Sequence, residues 1–98
     1  RRKALRTEAL HRLATAATGY GPQHPRSAAF CRARTATLHL DAGNLQPAVD
    51  EAHAFTTLAD GITSARLRDD RAMLARHAHP HRAVPGVADL VHTLTQPA

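Results

Sequence analysis

The chain has 98 residues, room for one domain with a modest core. Hydrophobic residues make up 43%, but 21 of them are Ala, so the core is thin and needs close backbone approach, while only five Val and Ile speak against strands. Thirteen Lys and Arg against eight Asp and Glu give a formal charge of +5, which admits nucleic acid or an acidic partner without requiring either, and the single Cys31 excludes an internal disulfide.

The first periodic segment, Arg2 to Thr18, carries Leu5, Ala9, Leu10, Leu13, Ala16 and Ala17 at helical spacing, and "GYGPQHP" ends it. A second helix is predicted from Arg26 or Ser27 to Asp41, burying Ala29, Phe30, Ala33, Ala36, Thr37 and Leu40 and showing Arg32 and Arg34 to solvent. Cys31 reads as a buried helix residue. Gly43 and Asn44 close this helix, and Pro47 suits the first turn of a third that runs to Ala59 with Ala48, Val49, Ala52, Phe55, Leu58 and Ala59 as its apolar positions. After "DGIT", Thr63 or Ser64 caps a fourth helix reaching Ala78, with Ala65, Leu67, Met73 and Leu74 inward and Arg66 and Asp70 as a solvated pair. "HAHPHRAVPG" is a proline-broken connection, and Val84, Val87, Leu90, Val91 and Leu94 define a last helix from Pro85 to Thr95. The reading is an all-α domain of about five antiparallel helices arranged as stacked hairpins, a single unit over 1–98. No apolar run is long enough for a membrane span and no signal peptide is visible, so the expected location is the cytoplasm.

"LHLDAGNLQPAVDEA", 38–52, could be the turn of a DNA-reading helix-turn-helix motif. The helix that would enter the groove lacks Arg and Lys and starts with Asp50 and Glu51, which a polyanion repels, and this argues against direct DNA contact. Packing offers another explanation of the same stretch. From Ala36 the spacing is seven to Gly43, five to Ala48, four to Ala52 and three to Phe55, small residues where two helices cross and a bulky one where the next hairpin packs. This resembles a tetratricopeptide repeat over roughly Ala29 to Ile62. A strict 34-residue shift from Ala36 lands on Asp70, an acidic side chain unsuited to a buried crossing, so the following hairpin is expected in altered register.

A longer resemblance carries the same idea. "HPRSAAFCRARTATLHLDAGNLQPAVDEAHAF", "SARLRDDRAMLARH" and "VPGVADLVHTL" together look like the C-terminal end of tetratricopeptide-type domains in actinobacterial transcriptional regulators with an N-terminal helix-turn-helix domain. The resemblance implies a non-catalytic module that senses an effector or contacts a protein or peptide, self-association included, as the C-terminal part of a longer chain.

Candidate residues are few. Arg32, Arg34 and His39 are predicted to line a groove for a partner, with Ala36, Gly43, Ala48, Ala52 and Phe55 as scaffold. His77, His79 and His81 alternate around Pro80 and could converge on zinc or nickel if the segment were extended, but no carboxylate lies within it and no cofactor is assigned. His39 and His53 could face one groove, and His92 could approach the trio. No nucleophile elbow, phosphate loop or helical metalloprotease motif occurs, and no residue is assigned a catalytic role. Two rival readings remain: a basic nucleic-acid-binding domain resting on Arg2, Lys3, Arg6 and Arg12, and a His-based metal module.

Overall fold

The computed structural model describes residues 5–13 and 24–96. Within them the chain is all-α: α1 (5–13), α2 (Pro25–Ala42), α3 (Leu45–Ala59), α4 (Ala65–Ala78) and α5 (Pro85–Thr95), with a single 3₁₀ turn at His79–His81. The outer parts of the predicted first helix, Arg2 to Ala4 and Ala14 to Thr18, lie outside the described residues.

The chain stops each helix by local chemistry. Gly43 at φ 78° ends α2, its N–H donating to the Leu40 carbonyl (3.1 Å) while the Asn44 N–H donates to His39 (2.9 Å), a Schellman pair that satisfies two terminal carbonyls. Two residues then suffice to reverse direction into α3. Gly61 at φ 75° shapes the α3–α4 connection, and the Ser64 hydroxyl accepts from the Leu67 N–H at 3.4 Å to cap α4. Pro85, whose missing N–H has no helical partner to lose, opens α5.

The α2/α3 and α4/α5 pairs are antiparallel hairpins, and they stack on one another. Phe30 meets Arg66, Arg34 meets Asp70 and Asp41 meets His77, each pair 36 residues apart, so α2 and α4 run parallel. The shared core is built from Ala29, Ala33, Ala36 and Leu40 of α2, Ala48, Ala52 and Phe55 of α3, Leu67, Leu74 and Ala78 of α4, and Val87, Leu90 and Leu94 of α5. The five core alanines of α2 and α3, Ala29, Ala33, Ala36, Ala48 and Ala52, are fully enclosed, the close approach that a large side chain on either helix would prevent. Phe55 is the largest enclosed side chain and fills the middle of the core.

Several side chains sit elsewhere than their spacing suggests. Phe30 and Thr37, expected inside, are half-buried because they lie on the edge of α2 turned toward α4. Val84, counted with the last helix, precedes it in extended conformation and is 42% exposed, and Ala65 is exposed in the first turn of α4. Asp70 is the larger correction. Expected to be solvated, it is 3% exposed on the side of α4 that packs against α2. The 34-residue shift from Ala36 therefore lands on an enclosed position after all, against the expectation that an acidic side chain could not occupy one.

Candidate functional site

α2 has two working edges besides its core face. Residues two apart on a helix point about 200° apart, so Arg32 and Arg34 serve different neighbours. Arg32 Nη1 donates to both carboxylate oxygens of Glu51 on α3, at 3.0 and 2.9 Å. Arg34 turns to α4, where Nη2 lies 3.8 Å from Asp70 Oδ1 and Nη1 donates to Met73 Sδ at 3.2 Å. His39 is half-buried, with Nδ1 enclosed and without a hydrogen-bond partner among the described residues. The structure does not gather these three into one groove. His53 is exposed, and its carbonyl accepts from the Thr56 and Thr57 hydroxyls.

The α2/α4 seam holds a different constellation. Arg66 lies over the Phe30 ring with its guanidinium carbon 4.1 Å from the centroid, and Arg34 stands at 5.0 Å from the same centroid. Guanidinium over a ring face is a favourable cation–π placement. Arg26, Ser27, Phe30 and Arg66 line an open, solvent-facing cavity of about 300 Å³ at the end of the seam where both helices begin. Arg26 and Arg66 make no hydrogen bond or ion pair with any described residue. Arg32 and Arg34, by contrast, are occupied by Glu51, Asp70 and Met73.

Asp70 lies one turn further along α4 than Arg66, beside Arg34. Burial pushes its carboxyl above the ordinary range, Arg34 and Arg66 oppose that rise, and Asp69 adds to it. Its Oδ2 has no hydrogen-bond partner among the described residues. Cys31 is buried as expected, and burial pushes its thiol up against a smaller opposing pull from Arg32, the reverse of what an activated nucleophile needs.

The histidine trio is not in an extended segment, which removes the geometry that alternate spacing would need. His77 belongs to α4, its Nδ1 2.8 Å from Asp41 Oδ1 on α2, while His79 and His81 stand in the 3₁₀ turn and the His79 ring faces the Arg82 guanidinium at 3.3 Å. His92 pairs with Gln96 at 2.9 Å. Among the described residues no group of three or more His, Cys, Asp or Glu converges as metal ligands would. Of the N-terminal cations, Arg2 and Lys3 lie outside the described residues, Arg12 pairs with Glu8, and Arg6 borders a separate cavity with Thr7, Leu10, Ala42 and Asn44. No described helix is long and apolar enough to cross a membrane.

Sequence reasoning missed Arg26, Ser27, Phe30 and Arg66 as a group. Helical spacing places Phe30 with the apolar positions of α2, and only the packing of α4 turns its ring into a cavity wall. No known protein family, curated protein or solved structure matches the chain.

Proposed function

We propose that this domain is a non-catalytic interaction or effector-sensing module that receives its partner on the α2/α4 seam, within a bacterial transcriptional regulator of the kind its tetratricopeptide-like spacing resembles. The observation that supports this most is the half-buried Phe30 ring, approached by the Arg34 and Arg66 guanidiniums and forming a wall of a cavity that Arg26 and Arg66 also line, neither of them hydrogen-bonded or ion-paired to a described residue. An aromatic wall with a few polar groups converging on it is the usual make-up of a recognition pocket. A partially exposed ring surrounded by like charges adds little to folding, whereas a ligand gains both apolar contact and hydrogen-bond donors there. The stacked hairpins supply the rigid frame, since core residues of α2, α3, α4 and α5 fix the relative position of α2 and α4.

The test is thermal unfolding against a panel of peptides and small metabolites, with each compound recovered and assayed for chemical change. A saturable rise in Tm that follows RT ln(1 + [L]/Kd), is reduced in Phe30→Ala and leaves the compound intact supports the reading. Steady conversion of a compound, or a Tm rise equal in the wild type and Phe30→Ala, contradicts it.

A further inference from the structure

We infer that the cavity between Arg26 and Arg66 takes an organic carboxylate, with the acid group held by the two guanidiniums and the apolar body of the ligand against Phe30. This rests on the seam being the recognition surface and specifies what it recognises. Arg26 and Arg66 occupy the same place in their helices, each the second residue, and because α2 and α4 are parallel the two side chains emerge at one end of the seam. Neither is hydrogen-bonded or within ion-pair distance of a described residue, although the Asp70 carboxyl still feels the charge of Arg66, and the two share one cavity. A planar guanidinium presents paired N–H donors that match a carboxylate edge, and charge-assisted bonds of this kind are the strong ones.

Arg66 is already ordered. Its guanidinium carbon lies 4.1 Å from the Phe30 centroid, a contact that already restricts the side chain before an anion arrives. Ser27 adds a hydroxyl donor on the same wall. Asp70 lies one turn further along α4, where Arg34 stands nearest to it, at 3.8 Å, leaving Arg66 turned to Phe30. A volume of about 300 Å³ accommodates an acid group with a small ring or branched chain, and the Phe30 ring offers that apolar body a surface to lie on.

The test is amide and arginine side-chain NMR titration of the whole chain with phenylacetate, its neutral isostere phenylacetamide, and acetate, which lacks the apolar body. The inference expects saturable phenylacetate binding at least tenfold tighter than either control, weakened fivefold or more in Arg26→Ala and in Arg66→Ala. Arg68→Ala, which removes an exposed cation outside the cavity, should leave it within twofold. Arg66→Lys keeps the charge but not the planar stack and should fall between the wild type and Arg66→Ala; it also carries the test if an alanine variant fails to fold. A peptide ending in a free phenylalanine, set against its amidated form, separates a peptide terminus from a free acid as the source of the carboxylate. Equal binding of phenylacetamide at Phe30 overturns the carboxylate while leaving the seam as the recognition surface. Shifts confined to residues elsewhere, or a loss in Arg68→Ala equal to that in Arg66→Ala, overturn both.

Discussion

Asp70 places a carboxyl group where α4 meets α2, 3% exposed, with one oxygen 3.8 Å from Arg34 and the other unpartnered among the described residues. Burial raises its proton affinity in the folded state above that of the unfolded chain, so Asp70 favours folding at low pH and that contribution is lost as pH rises through the raised folded value. Asp70→Asn is therefore predicted to unfold at a higher temperature than the wild type at pH 7, with the gap closing as pH falls below the ordinary value of 3.8, as thermal melts across pH would show. Phe30 and Phe55 make a second comparison. Phe55 is wholly enclosed, and Phe55→Ala should cost about 3–5 kcal/mol in urea denaturation. Phe30→Ala should cost less than about 2 kcal/mol, because it loses a half-buried ring and two cation–π contacts rather than opening a core cavity. The different fates of these two rings were not legible in the sequence. Each sits on an apolar helical stripe, and which edge of a stripe is closed depends on the neighbouring helix.

Helix by helix, the sequence says more. Gly43, Ser64 and Pro85 mark boundaries through conformational and capping rules that act within a few residues, and the structure ends or begins helices at each of them. Gly43→Ala is predicted to cost about 1–2 kcal/mol in equilibrium unfolding from the left-handed backbone alone, since a Cβ there would meet no atom within 4 Å. The small residues Ala36, Ala48 and Ala52 likewise announce a close helix crossing, and all three are fully buried. What stays hidden is the pairing of elements. Arg32 and Arg34 look like one exposed basic group, yet their 200° separation already assigns them to different neighbours, Glu51 on α3 and Asp70 on α4. The angular argument was available; the identity of the neighbours needed the second hairpin's register. His77 shows the same limit, because Asp41, 36 residues earlier, becomes its partner only when α2 and α4 lie parallel.

At the scale of the molecule, neither hairpin closes its own core. Leu67 and Leu74 of α4 and Val87, Leu90 and Leu94 of α5 belong to the same cluster as Phe55 and the α2 alanines. Truncation after Val84 would expose the face of that cluster that α5 covers, and a chain so shortened is predicted to lose the single cooperative urea transition of the full chain, followed by circular dichroism. The shared core also holds α2 and α4 parallel and so brings Arg26 and Arg66 to one opening. The central claim is that this opening is where a partner is received. Mapping amide shifts on the first compound that raises Tm tests it most directly: the account predicts perturbations clustered on Arg26–Arg34 and Arg66–Met73, whereas a cluster on α3 and α5, or around Arg6, Ala42 and Asn44, would contradict it.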